Sequence, residues 1–170
     1  MGFLGQASTG RQFPLTVLLP GYQVQCNFHA TGIIQTFLND EQKETFVLHD
    51  ASVFGLEPGS PATSMMLPEM FVRKDHCHAL AFESMLDRDD TGLMPRTENL
   101  AVYTSHYCIQ ADFHMGSDAL LADFISGSKI MFIGATNATF FPLFRTQVAI
   151  IQQAPLVFIH RDTVRMHHRM

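Results

Sequence analysis

Leu15-Thr-Val-Leu-Leu-Pro-Gly-Tyr-Gln-Val-Gln-Cys-Asn-Phe-His29 returns 85 positions later as Leu100-Ala-Val-Tyr-Thr-Ser-His-Tyr-Cys-Ile-Gln-Ala-Asp-Phe-His114. Six of the fifteen pairs are identical: Leu15/Leu100, Val17/Val102, Tyr22/Tyr107, Gln25/Gln110, Phe28/Phe113 and His29/His114. After a two-residue insertion the offset becomes 87. Phe37 then meets Phe124, Ala51-Ser-Val-Phe-Gly-Leu56 meets Ala138-Thr-Phe-Phe-Pro-Leu143, and Phe71-Val-Arg-Lys-Asp75 meets Phe158-Ile-His-Arg-Asp162. A match that keeps its order over most of both halves marks a tandem duplication. The repeats read as 13–83 and 98–168, joined by a connector, 84–97, that is polar and rich in turn residues.

The same stretch sets the structural class. Val24, Cys26 and Phe28 alternate with Gln23, Gln25, Asn27 and His29; Ile109, Ala111 and Phe113 alternate with Gln110, Asp112 and His114. Period two is the pattern of a half-buried strand, and it puts His29 and His114 on the polar face. Upstream lie strands Leu15–Leu19 and Leu100–Thr104, each followed by a turn, Pro20-Gly21 or Ser105-His106. Downstream the pattern predicts a short helix near Ile33–Asn39 and another near Asp118–Ile125, N-capped by Ser117 and buried through Phe37 and Phe124. Third strands are predicted at Thr45–Phe54 and Ile130–Phe141. The closing strands are predicted at Glu69–Arg73 and His76–Phe82, then at Ala149–Gln152 and Leu156–Arg165. About five short strands and one short helix per repeat describe a mainly β chain of small barrels or a sandwich.

Each half resembles a family of small bacterial domains of Sm-like, five-stranded character with no assigned activity. The residues that carry the resemblance are Tyr22–Phe28, Ile34–Asn39 and Phe46–Phe54, then Tyr107–Phe113, Leu121–Ile125 and Ile133–Phe141. The second copy departs from the pattern at Thr136-Asn137, where the first has His49-Asp50. The resemblance implies two tandem Sm-like barrels or sheets. Sm-like domains often pack edge to edge, so a duplicated one can pair two open edges within one chain. A slighter resemblance is to PilZ domains: Asp50-Ala-Ser52-Val-Phe-Gly55 fits the Asp-x-Ser-x-x-Gly half of their signature. It implies cyclic di-GMP binding at Asp50, Ser52 and Gly55. The other half of that signature, two arginines four residues apart, is missing; Arg11 and Arg96 stand alone. A strand that turns at Gly55 accounts for the same residues.

Composition narrows the function classes. Of 170 residues, 46% are hydrophobic and 16% charged, below the roughly 25% charge of an average domain. The net charge, 11 − 16 = −5, argues against nucleic acid as a partner. No apolar run reaches the roughly 18 residues of a membrane-spanning helix. The N-terminal Met1–Gln6 lacks a signal peptide's basic start, and Gln6 stands where myristoylation needs Ser or Thr. A cytoplasmic location is expected. Cys26, Cys77 and Cys108 form no Cys-x-x-Cys pair, so neither zinc nor a disulfide framework is expected.

No catalytic motif stands out, so no enzyme activity and no cofactor are expected. Cys77 lies between two histidines, but strand neighbours point to opposite faces and make no Cys–His pair. His76 and His78, alternate residues of a predicted strand, can share a face and hold one metal ion, or simply be solvated. The tail Arg165–Met170, with its paired histidines, reads as a frayed basic end. His29 and His114 are the one chemically able polar residue kept in both copies, as a ligand site or a structural hydrogen bond.

Charge is unevenly spread: residues 31–90 hold fifteen charged residues, residues 101–160 only five. Apolar surface beyond what a small repeat can bury calls for a partner. The expected interface comprises Phe140, Phe141, Phe144, Ile150 and Ile151. The expected role is a non-enzymatic interaction or accessory subunit, a scaffold element docking through the second repeat. Its partners would be other protein subunits, further copies of itself or a peripheral membrane complex. The alternative is a small-ligand sensor, taking cyclic di-GMP or a metal ion.

Overall fold

The alternation at residues 22–30 becomes one arm of a hairpin. In the computed structural model, which describes residues 10–62 and 64–170, strands β1 (Arg11–Leu19) and β2 (Tyr22–Ala30) pair antiparallel from Arg11↔Ala30 to Leu19↔Tyr22. The N-terminal Met1–Gln6, from which the absence of leader signals is read, lies outside the described residues. Pro20 and Gly21 make the turn, with Gly21 at φ +74°, a conformation that costs an L side chain steric energy. Helix α1 (Ile34–Leu38) follows, then β3 (Thr45–Gly55), β4 (Met65–Arg73) and β5 (Ala79–Phe82). A short helix α2 (Arg88–Thr91) lies in the connector. The second half runs β6 (Arg96–Tyr103), β7 (Tyr107–Met115), β8 (Phe132–Pro142), β9 (Gln153–His160) and β10 (Met166–Arg169).

The chain is mainly β, as its alternation predicts. The ten strands of the described residues belong to one open sheet, in the order β10-β6-β7-β8-β9-β5-β1-β2-β3-β4. The duplication shows in the register. Val24↔Val53 has its mate in Ile109↔Phe140, and Gln25↔Ser52 in Gln110↔Thr139. Both ladders then shift, between Gln25 and Asn27 and between Gln110 and Asp112. Opposite those shifts sit Asp50 (φ 49°) and Asn137 (φ 54°), the two non-glycine residues of positive φ among the described residues.

Each half has the internal order fifth-first-second-third-fourth strand, and the halves meet where β5 pairs with β9, from Ala79↔Ile159 to Phe82↔Leu156. Alternation at this junction serves two cores. Leu80, Phe82, Leu156 and Phe158 point into the core with the first repeat's Leu15, Val17 and Phe28. Ala79, Ala81, Val157 and Ile159 point into the core with Leu100, Val102 and Phe113. Each core is therefore completed by strands of both repeats. Side chains lock the seam: Asn39 Oδ1 accepts from the N–H groups of Met131 (2.6 Å) and Phe132 (2.8 Å). Gln35 Nε2 donates to the Phe132 carbonyl. The buried Tyr107 hydroxyl donates to the Leu19 carbonyl at 2.9 Å.

Four local expectations need correcting. The second helix is only a 3-10 turn, Leu121–Asp123, and Ser117 does not cap it. In α1 the buried residues are Ile34 and Leu38, with Phe37 only partly covered, whereas Phe124 is buried as expected. Residues 149–152 form no strand; the fourth strand is β9, which passes Pro155 where the ladder steps from Ala138↔Ala154 to Thr136↔Leu156. The tail is no frayed end: residues 166–169 are β10, paired with β6 from Met166↔Tyr103 to Arg169↔Leu100.

Candidate functional site

The sequence-derived ligand residues do not converge. Asp50 is exposed, and its carboxylate accepts from Asn27 Nδ2 at 3.1 Å. In the second copy the partners are exchanged: Asn137 Nδ2 donates to Asp112 at 2.9 Å. One Asn–Asp bridge with its ends swapped is a fastening of the third strand's bend. Gly55 is a packing residue. A Cβ there would lie 2.3 Å from the Ala62 carbonyl oxygen, and the Gly55 N–H donates to that same oxygen at 2.7 Å. Ser52 sits half-buried on β3.

The histidines have separate local roles. His76 lies exposed in a 3-10 turn, Lys74–His76, while His78 is buried; the turn breaks the alternation that would have aligned them. Among the described residues no three His, Cys, Asp or Glu side chains converge as a metal site. His29 stacks on His49, ring centroids 4.4 Å apart. Both border a groove of about 200 Å³ with Phe28, Phe37, Phe46 and Lys43. That is smaller than the roughly 300–1,000 Å³ of typical ligand pockets. His114 Nδ1 meets the Met94 carbonyl at 2.7 Å, and Nε2 meets the Thr136 hydroxyl at 3.1 Å. A carbonyl only accepts, so Nδ1–H donates to Met94. His114 is thus engaged structurally.

His78 marks the seam. Its Nδ1 lies 3.1 Å from Thr104 Oγ1, across the repeat boundary. Burial, with His106, His160, Arg165 and His76 nearby, pulls its pKa down to about 4, so it is neutral at physiological pH. The thiols are inert for a matching reason. Burial pushes Cys26 up to about 12 and raises Cys77 and Cys108, leaving no thiolate to act as nucleophile.

The apolar residues expected at an interface are mostly used inside. Phe140 and Ile150 are buried, and Phe144 and Ile151 pack partly covered against the second core. Phe144 makes an edge contact with Tyr107 at 6.1 Å. Only Phe141 of the five is exposed. The low charge of this repeat reflects its place in the sheet: β9 is covered by β5, and residues 143–152 wrap onto the core.

Exposed apolar surface gathers instead on the sheet's edge. β4 pairs with β3 on one side, from Thr45↔Arg73 to Val53↔Met65, and its other side is unpaired. Its nine residues expose Met65, Met66, Leu67 and Phe71. The opposite edge, β10, is short and polar: Met166-His-His-Arg169. Long, apolar edges are pairing templates that chains normally blunt with charge. The sequence held a signal for this edge in the run Met65-Met-Leu67, whose significance appears only once β4 is known to lie outermost.

No protein-family model, curated protein or solved structure matches this chain. Among the described residues no helix is long and apolar enough to cross a membrane.

Proposed function

We propose that this chain is a non-enzymatic interaction subunit of a larger protein assembly, built from two Sm-like five-stranded repeats. The observation that carries this reading is the unpaired β4 edge, with Met66 and Phe71 largely exposed on a strand whose repeat mate, β9, is covered. Main-chain groups on such an edge supply affinity by strand addition, and alternate side chains supply specificity. A cytoplasmic setting goes with this reading, supported by three free, buried cysteines.

The test is recovery of bound proteins from a native extract by the full chain and by its Met66→Lys/Phe71→Lys variant. Both side chains are exposed, so the variant folds while its lysines blunt the edge. The variant is expected to lose the proteins that the parent retains. Equal recovery by both would refute an interaction role for β4.

A further inference from the structure

We propose that β10 of one molecule pairs antiparallel with β4 of a second copy of this chain, repeating between molecules the β5–β9 junction found within each. This rests on reading the chain as an interaction subunit and names the partner.

The argument comes from the internal symmetry. The repeat that places β5 beside β9 makes β10 the mate of β5 and β4 the mate of β9. These two strands are the sheet's free edges. Each edge is therefore the counterpart of a strand already joined to the other's counterpart. Transferring the internal register by 87 residues turns Ala79↔Ile159, Leu80↔Phe158, Ala81↔Val157 and Phe82↔Leu156 into Met166↔Val72, His167↔Phe71, His168↔Met70 and Arg169↔Glu69. The last pair joins opposite charges and the second joins two aromatic rings, both favourable across strands.

Exposure follows the same symmetry. Phe158 at the internal junction is fully buried; its mate Phe71 is 64% exposed. Tyr107, whose hydroxyl crosses the junction to Leu19, is fully buried; its mate Tyr22 is 40% exposed. The transferred contact brings the Tyr22 hydroxyl to the Thr104 carbonyl of the second copy. Two side chains kept in both repeats are thus covered in one and bare in the other, as a missing neighbour requires.

The external junction is the weaker one. Gln35 and Asn39, which lock the internal seam, have Ala122 and Ser126 as their mates. Neither can supply the same hydrogen bonds, and β10 brings polar residues where β5 brings Ala-Leu-Ala-Phe. The association is accordingly reversible and concentration-dependent. It is head-to-tail, because unlike edges meet, so it closes into a ring or extends as a filament.

The test uses purified full-length chain, at increasing concentration, in light scattering and mild thiol oxidation. The parent chain is expected to rise in mass by multiples of 19.1 kDa. Glu69→Cys and Arg169→Cys alter exposed positions, and the native cysteines are buried. Neither variant alone should form a disulfide between chains, an equimolar mixture should, and the double variant should form a ladder or a closed multimer. Cross-linking of Glu69→Cys with itself would show like edges meeting and would overturn the proposal. A monomer at all concentrations with no cross-link in the mixture would overturn it too. In that last case the native-extract comparison separates the readings. If Met66→Lys/Phe71→Lys still loses other proteins, only self-pairing fails. If it loses nothing, the interaction subunit fails with it.

Discussion

Phe158 and Phe71 are one residue of the ancestral repeat in two environments, and truncating each measures what the neighbouring strand contributes. Phe158 is fully buried on β9, with its ring in edge contact with Phe82, centroids 5.8 Å apart. It enters the core of the first repeat from a strand of the second. Phe158→Ala removes a large buried ring and leaves a cavity, a change that costs about 3–5 kcal/mol. Against a total stability of about 5–15 kcal/mol that is a large share, and for a chain of this length it lowers Tm by roughly 10 °C. Phe71→Ala removes a mostly solvated ring and costs within about 0.5 kcal/mol in the monomer. The assay is urea unfolding of both variants in dilute solution, followed by far-ultraviolet circular dichroism. Because Phe158 bridges the repeats, its variant should shift one cooperative transition to lower urea. Two separated transitions, with only the second repeat weakened, would refute the shared-core argument. Equal costs for the two variants would refute the assignment of β9 as covered and β4 as bare.

Two further outcomes follow from the polar groups. His78 has a folded pKa of about 4 against about 6.5 when unfolded, so the unfolded chain binds the extra proton between those values. Stability should be full above about pH 6.5 and fall by up to about 3 kcal/mol as pH drops toward 4. His160, also lowered chiefly by burial, adds in the same direction. His78→Asn, which keeps a hydrogen-bonding side chain facing Thr104, should flatten that slope in pH-dependent urea titrations, and an unchanged slope would reject His78 as its source. At the swapped bridge, Asn27→Asp sets two carboxylates face to face and should cost about 0.5–1 kcal/mol at neutral pH. Adding Asp50→Asn recreates the second repeat's arrangement and should recover that loss in a double-mutant cycle; strict additivity would show that the bridge contributes nothing.

The features legible in the sequence were those with local causes. Period-two alternation at 22–30 and 107–115 located β2 and β7 because half-buried strands impose it. The two offsets aligned the repeats because matched strands need matched side chains. The seam was not legible, because pairing of β5 with β9 joins residues about 75–80 apart and follows from edge geometry. Without it, Phe140 and Ile150 read as surplus apolar surface, although residues 143–152 and the strands around them bury both. Without it, too, Arg165–Met170 looked like an unstructured basic end, although carrying the 87-residue offset from Ala79–Phe82 onward would have placed a strand at 166–169. Pro155 disguised β9, since a proline within a strand usually marks an edge or a bulge. Here the ladder keeps its register across Pro155, which faces Asn137, the positive-φ residue at the bend of β8. Pro68 occupies the matching place in β4.

The divergence of the two copies has a physical logic. A seam within one chain is permanent, since its halves cannot diffuse apart, and it can be built from Ala79, Leu80, Ala81 and Phe82 without exposing them. A free edge spends time in water. β10 accordingly carries two histidines and an arginine at three of its four positions, and Gln35 and Asn39 have no counterparts beside it. That is the expected treatment of an edge that must resist indiscriminate pairing. β4 departs from that treatment: nine residues long, it keeps Phe71 and three consecutive apolar side chains at its start. An edge held only in solvent would favour charge at these positions, as β10 does. Retention of the ancestral phenylalanine where it is bare, beside Glu69 facing the register position of Arg169, is accounted for if a polar, basic strand covers it. Within this chain the strand of that description is β10, which lies at the far end of the sheet and reaches β4 only from another molecule.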